Sequence, residues 1–154
     1  MKKLVLLVSV TAVLLAGCGN TKRTTLASQI TTLVDQTTSS QTEAEAFLRL
    51  ESYGENGVPY LVSHLGDMRP LGDKNMTLKN IVIVDSKKTE QGQRMYSPEV
   101  VHDALAALLN QITGKSFEFV YNGSDPATRA TNRKEWQDWC VKTYPDKKSI
   151  CKKG

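Results

Sequence analysis

Two histidines, each close in sequence to an aspartate, are the residues whose types could support acid–base chemistry. His64 precedes Asp67 by three positions, and His102 is followed directly by Asp103. A carboxylate beside an imidazole can orient it as a general base or as a metal ligand. Two histidines cannot complete a closed zinc site, and their spacing differs from the His-Glu-x-x-His pattern. We therefore expect both to be polar residues on helix faces, with a small His/Asp hydrolase kept as an alternative.

Other catalytic signals are missing from the printed sequence. It contains neither a Gly-x-Ser-x-Gly nucleophile elbow nor a Gly-x-x-x-x-Gly-Lys phosphate loop. The acidic and basic residues of Asp67–Pro70 lie on one loop, where an ionic contact between Asp67 and Arg69 explains them more simply than catalysis does. We therefore expect a protein that is not an enzyme and that uses no cofactor and no metal.

The first eighteen residues predict export. Two lysines near the start precede the apolar run Leu4–Leu15, and small residues follow, which is the layout of a secretory signal. A run of about 12 residues rises only about 18 Å as a helix and is too short to span a hydrocarbon core of about 30 Å. The segment Leu15–Cys18 resembles the lipobox of bacterial lipoproteins.

That resemblance implies cleavage before Cys18, a diacylglycerol on its sulfur and an acyl chain on its new amine. Three acyl chains would exceed what stable membrane anchoring requires. Because Gly19 rather than an aspartate follows, the resemblance implies the outer membrane, facing the periplasm. The alternative is a plain signal peptide, which would leave Cys18 as an ordinary thiol.

Removing the signal changes what charge and cysteine count imply. The formal net charge of +4 falls by two when the signal lysines are lost, so we expect no nucleic-acid partner. With Cys18 acylated, Cys140 and Cys151 remain as an even pair in an oxidising compartment. Neither has a Cys-x-x-Cys partner or a nearby histidine, so we expect a disulfide rather than a metal site.

The mature chain has a length typical of one domain. We expect a signal peptide at 1–17, a lipidated tether at 18–25 and a single helical domain at 26–154 with a disulfide-closed C-terminus. Apolar residues recur with helical periodicity in five segments, and most segments have recognisable caps. The segments are 26–37, 42–54, 58–65, 97–114 and 125–145.

Three of these helices have specific N-terminal signals. Thr42 and Glu45 fit a capping box, and Asp125 precedes a proline at the first helical position. Ser97 has the same relation to Pro98, so the fourth helix is expected to begin there. The second and third helices are separated by a few residues and should form an antiparallel helical hairpin, with Ala44, Phe47 and Leu48 on one apolar face.

The remaining chain contains two candidate strands. Ile81–Val84 is a β-branched run typical of a short buried strand, and 117–121 alternates in character before Asn122–Gly123, a tight-turn signal. A two-stranded ribbon between these two segments is plausible if it packs on helices. Otherwise we expect 67–96 to be one irregular insertion, because turn-forming and charged residues dominate it.

The helical segments resemble bacterial HEAT-like repeat proteins over residues 43–143. The resemblance is carried by GVPYLVSHLGDMRP, PEVVHDALAALLNQITGKSF and RKEWQDW. It implies a mainly α fold of compact HEAT-like helical hairpins, interrupted by the one insertion and by any short ribbon. Such repeats are scaffolds, so the resemblance implies no particular activity.

These features favour a lipid-anchored, non-enzymatic protein-interaction module that binds an envelope protein. Its other partner is the membrane lipid, reached through Cys18. An alternative is an inhibitor or immunity-type binder of a cell-wall hydrolase, with 67–96 as the plug. Loops on a rigid helical frame often carry binding residues, so Lys87, Lys88 and Arg94 are candidate interaction residues. Trp136 and Trp139 are further candidates, although two tryptophans at this spacing are more often core residues.

Overall fold

A computed structural model describes residues 24–84 and 87–153, apart from the side chains of 80–84 and 88. The predicted signal peptide, Cys18 and most of the tether lie outside these residues. The described chain is mainly α-helical with one small antiparallel ribbon, which confirms the predicted class. The helices are α1 (Leu26–Gln36), α2 (Glu43–Ser52), α3 (Val58–Val62), α4 (Val101–Thr113), α5 (Pro126–Thr143) and α6 (Lys148–Cys151), and the strands are β1 (Met76–Val84) and β2 (Lys87–Tyr96).

Several helix ends form where the sequence predicts them. The Asp125 carboxylate accepts hydrogen bonds from the backbone N–H groups of Ala127 and Thr128, which confirms it as the cap of α5. Helix α4 ends at Gly114, whose φ of 69° lies in the left-handed region that glycine adopts without steric cost. These ends depend on contacts between near neighbours and are therefore readable from sequence.

Two predicted N-terminal features are wrong: the capping box of α2 and the starting residue of α4. Thr42 precedes α2, but its hydroxyl donates to the carbonyl of Gln36 instead of accepting from the helix, so the capping box does not form. Helix α4 begins at Val101, three residues after Pro98. There the Asp103 carboxylate accepts from the backbone N–H of Glu99 at 3.1 Å and of Val100 at 3.3 Å.

Helix packing also differs from the predicted hairpin. Helix α2 packs mainly on α1, whereas the short α3 contacts α4, α5 and α6. The apolar face of α2 comprises Ala46, Phe47 and Leu50, while Leu48 remains 62% exposed. Helix α4 lies at the centre, and every residue from Val101 to Leu109 is buried. The core therefore surrounds α4.

The predicted insertion is mostly an ordered β-hairpin. Strands β1 and β2 pair antiparallel from Met76↔Tyr96 to Val84↔Lys87, with a register shift between Lys79 and Ile81. The predicted pairing of 81–84 with 117–121 is therefore wrong, since the partner of 81–84 is the polar segment that follows it. Adjacent strands close a shorter loop than distant ones, which lowers the entropic cost of pairing.

The segment 117–121 is not a strand. It forms only an isolated bridge between Tyr121 and Gly123, while Val120 is buried in the core. Phe117 packs edge-on against Trp136, with ring centroids 4.8 Å apart. Phe117 thus packs on α5 and Tyr121 on Tyr96 of β2, but the segment does not pair with a strand.

The C-terminal region closes on itself through the predicted disulfide. The Sγ atoms of Cys140 and Cys151 lie 2.01 Å apart, which confirms the pairing. Both cysteines are fully buried and hold α6 against the end of α5. Among the described residues, no helix has the length and apolar character needed to cross a membrane.

Candidate interaction site

We call the outer part of the hairpin, residues 79–84 and 87–94, the arm, and its two strands pair with each other antiparallel. Lys87 and every residue of β2 from Thr89 to Met95 are exposed. Because successive side chains of a strand point to opposite faces, a continuous exposed run means that both faces meet solvent. The six residues of β1 within the arm extend about 20 Å. The described β2 side chains of the arm are thus open to solvent on both faces.

The base of the hairpin is held by the body. Met76 and Leu78 are buried in the core, where β1 contacts α4. Tyr96 packs edge-on against Tyr121, with ring centroids 5.4 Å apart. Arg94 Nη1 donates to Asn110 Oδ1 of α4 at 3.3 Å. A ribbon anchored in this way can project without its outer half contributing to the core.

The candidate residues of the arm occupy different positions along it. Lys87 lies at the outer end, paired with Val84, whereas Arg94 is exposed at the base. Lys88 pairs with Ile83, and its side chain lies outside the described part of the chain. Register thus places the β-branched run 81–84 opposite the most basic segment of β2. The arm combines apolar and basic residues within its outer half.

A groove of about 370 Å³ runs between α2 and β1 at the base of the arm. Its lining combines apolar and acidic side chains with a few neutral polar ones. The lining residues are Ser40, Glu43, Ala44, Phe47, Leu48, Glu51, Asp73, Asn75, Met76, Thr77 and Leu78. The sequence interpretation missed this groove because it placed Leu48 in the core and treated 67–96 as irregular. The only available signal was that Leu48 lies two residues from both Ala46 and Leu50, so a helix that buries those two residues turns Leu48 away from the core.

The tryptophans lie in or beside the core. Trp136 is fully buried and packs edge-on against Phe117 and Trp139. Trp139 is partly buried and also contacts Tyr144, with ring centroids 5.9 Å apart. The core interpretation of Trp136 is confirmed, and a stacking contact with a partner would require α5 to separate from the body.

His102 is a buried residue, so its predicted position on a polar helix face is wrong. Its side chain is fully buried, and its Nδ1 contacts the carbonyl oxygen of Leu65. Burial lowers the pKa of His102 below its usual value, because a charged imidazole would lose its hydration. Asp103 does not orient this ring, since its carboxylate accepts from Arg129 Nε at 2.8 Å and from Arg129 Nη2 at 2.9 Å.

His64 lies in the turn after α3 and is half-buried. Its Nε2 is 3.1 Å from Thr31 Oγ1, and burial lowers its pKa. Arg69 donates to the Asp67 carboxylate from Nε, from Nη2 and from its backbone N–H, which confirms the predicted ionic contact. Burial alone would raise the pKa of Asp67, but the bonds from Arg69 outweigh it and lower that pKa.

The carboxylate beside each histidine is thus held by an arginine rather than by the imidazole. Within residues 24–84 and 87–153, no three histidine, cysteine or acidic side chains are grouped closely enough to hold a metal ion. The arm and the groove at its base are two surfaces with a geometry suited to recognition. No family model, no curated protein and no solved structure matches this chain.

Proposed function

We propose that this chain is a lipid-anchored envelope protein without enzymatic activity, which binds another envelope protein through its arm. The observation that supports this function is the exposure of β2 on both faces from Thr89 to Met95. A two-stranded ribbon is only marginally stable in water, and its edges present unpaired N–H and C=O groups. A surface that covers the ribbon would satisfy these groups and bury its apolar residues.

The composition of the arm indicates what it would meet. Basic residues outnumber acidic ones in 79–94, and Lys79 Nζ pairs with Glu90 Oε2 across the strands at 3.2 Å. Both members are exposed, so this pair adds little stability. The partner surface that fits is apolar at its centre and acidic at its rim.

The lipid anchor is proposed on the sequence of residues 4–18. A tether of residues 18–25 can span at most about 28 Å when fully extended. The domain would therefore stay close to the membrane, and its partner would lie on the same side. A Cys18→Ser form should lose membrane association while the purified domain keeps its helical circular dichroism. Full retention in the membrane fraction would contradict the anchor.

The arm is tested by shortening it without disturbing its base. Residues 80–92 are replaced by Asn-Gly, a favoured two-residue turn, which joins the paired residues Lys79 and Gln93. A photo-crosslinking residue is placed at Thr89 of the full arm and, as a matched control, at the exposed Thr131 of α5. In intact envelopes, we expect a discrete adduct from position 89 alone.

The shortened protein then serves as competitor. Excess full-length domain should abolish the adduct, and excess shortened domain should not. Identical adducts from positions 89 and 131, or equal competition by both domains, would contradict recognition by the arm.

The second candidate function is inhibition of a cell-wall hydrolase, favoured by the narrow projecting form of the same arm. Two strands lie about 4.8 Å apart, so a ribbon can enter a cleft that excludes the helical body. The measurement is cell-wall hydrolysis by envelope extracts with and without purified domain. Inhibition by the full domain but not by the shortened one would favour this function over simple binding.

A further inference from the structure

The groove at the base of the arm follows the edge of β1. Four consecutive residues, Asn75 to Leu78, contribute to its lining. Successive side chains of a strand point to opposite faces, so a groove that contacts all four lies beside the strand rather than against one face. In the two-stranded sheet, β2 occupies the other edge of β1. Within the described chain, this edge of β1 therefore faces α2 across an open space.

Backbone groups are available along that edge. In an antiparallel pair, alternate residues direct their N–H and C=O groups away from the partner strand. For residues 76–79, no backbone hydrogen bond outside the β1–β2 ladder appears within the described chain. A further strand could pair there without breaking any bond of the ladder.

The opposite wall of the groove supplies apolar contact. Leu48 is 62% exposed and Ala44 is exposed, while the buried Phe47 and Met76 also line the groove. Along α2, the distance from Glu43 to Glu51 is about 12 Å. The Asn75–Leu78 edge extends about 10 Å, so the groove accommodates about four residues of extended chain.

The charge of the groove is negative. Glu43, Glu51 and Asp73 contribute to its lining, and the lining contains no basic residue. None of these three acids belongs to an ion pair within the part of the chain that the structure describes. Glu43 is 5% exposed, and its carboxylate accepts from the backbone N–H of Asp73. A buried carboxylate without a cation is costly, and a basic side chain in the groove would offset that cost.

We infer that the groove binds an extended segment of a partner protein, in which basic and apolar residues alternate, as a third strand on β1. The alternation follows from the geometry, because the two faces of an added strand meet different walls. Main-chain hydrogen bonds to β1 would provide affinity, and the acids would select lysine or arginine. The site includes only the base of the hairpin and does not depend on the outer arm.

The test uses the purified domain and fluorescein-labelled peptides of about six residues, which alternate lysine with valine or leucine in both phases. Binding is followed by fluorescence anisotropy. We expect at least one phase to bind, and its glutamate-for-lysine counterpart to bind at least about tenfold more weakly. A counterpart with a central proline lacks a backbone donor and should lose binding similarly. Failure of every lysine peptide, or equal binding of the glutamate series, would overturn the proposal.

Two variants locate the site. Leu48→Lys removes an exposed apolar contact and adds positive charge, so it should weaken peptide binding at least about tenfold. Phe119→Lys makes the same kind of change at a residue that is 56% exposed and outside the groove, and it should leave binding unchanged. Both variants should retain the circular dichroism of the parent. Equal affinity of the two variants would overturn the assignment to this groove.

Amide hydrogen exchange distinguishes strand addition from binding by side chains alone. Bound peptide should slow exchange at alternate amides of residues 75–79, since their outward N–H groups gain partners. Binding without slower exchange in this segment would overturn the third-strand arrangement. The arm-shortened protein retains this edge and should bind the peptides normally. The proposal for the groove and the proposal for the arm can thus be contradicted independently of each other.

Discussion

The central helix and the second strand differ fully in burial, although each contributes a continuous run of residues. In α4, every side chain from Val101 to Leu109 is buried, whereas in β2 all residues from Thr89 to Met95 are exposed. Because the free energy of folding scales with the apolar area removed from water, the buried residues of the helical body supply most of it. The exposed residues of β2 contribute little to that area and are free to serve recognition. The comparison therefore distinguishes the buried residues that stabilise the fold from the exposed residues that are available to a partner.

The strongest test of this division is an aspartate in the centre of α4. Leu105 is fully buried, and Leu105→Asp places a carboxylate where no cation can reach it. We expect the unfolding free energy to fall by about 4–5 kcal/mol, which is enough to unfold a domain of ordinary stability. The measurement is urea denaturation followed by circular dichroism.

The matched control is Leu48→Asp, since Leu48 is 62% exposed on α2. It should change the unfolding free energy by less than about 0.5 kcal/mol. If the two aspartate variants proved equally stable, the assignment of the core to α4 would be wrong.

Within the body, the buried ion pair between Asp103 and Arg129 should be the next largest contribution. The Asp103 side chain is fully buried and that of Arg129 is 10% exposed. Asp103→Ala leaves the Arg129 guanidinium without its main partner and removes the cap of α4. The unfolding free energy should therefore fall by about 3–4 kcal/mol.

For comparison, Asp138→Ala breaks the exposed pair with Lys134 on α5. Its denaturation midpoint should stay close to that of the parent, because solvent screens an exposed pair. Similar losses in the two alanine variants would show that burial does not govern these ion pairs.

The pH dependence of stability should report the body rather than the arm. Burial lowers the pKa of His102 in the folded state, so the unfolded chain binds a proton first as the pH falls. Stability is therefore greatest above the unfolded pKa of about 6.5 and decreases below it, by up to about 1.4 kcal/mol per pH unit. His102→Gln should flatten the unfolding free energy between pH 7.5 and 5.5.

The half-buried His64 provides the comparison for this effect. His64→Gln should flatten the profile less, because that ring retains partial contact with water. A profile unchanged by the His102 substitution would mean that this ring is protonated as readily in the folded chain as in the unfolded one.

Shortening the arm should have only a small effect on stability. Replacement of 80–92 by Asn-Gly keeps Met76 and Leu78 in the core, so the unfolding free energy should fall by less than about 1 kcal/mol. In contrast, Leu78→Asp in the protein with the full-length arm should lower the unfolding free energy by about 3 kcal/mol, since Leu78 is only 6% exposed. Unfolding of the shortened protein would show that the outer arm supports the body.

The elements predicted correctly are those that depend on neighbours in sequence. Asp125 before Pro126 caps α5, and Gly114 ends α4, because each bond in these caps joins residues a few positions apart. Ser97 offers an equally good local signal, yet α4 begins at Val101. There Asp103 both caps the helix and pairs with Arg129, which lies 26 positions away. The local rule was outweighed by a long-range contact.

The candidate sites were predicted less completely. Lys87 and Arg94 do lie on an exposed element, but the prediction that 67–96 is irregular missed its pairing. The polar composition of 87–94 resembles a loop, and β-propensity is weak where both faces of a strand meet solvent. The groove could not be predicted, since it is formed by residues from two elements that periodicity does not relate.

The sequence by itself determined the helical class, the ends of α5 and the pairing of Cys140 with Cys151, because local bonds and an even cysteine count suffice for these. The export signal and the lipid on Cys18 remain predictions from residues 1–18. Only the tertiary structure decided which face of α2 is buried, that His102 lies in the core, and that 76–96 is a hairpin. Each of these depends on contacts between distant segments, whose free energy exceeds the local preferences expressed in the sequence.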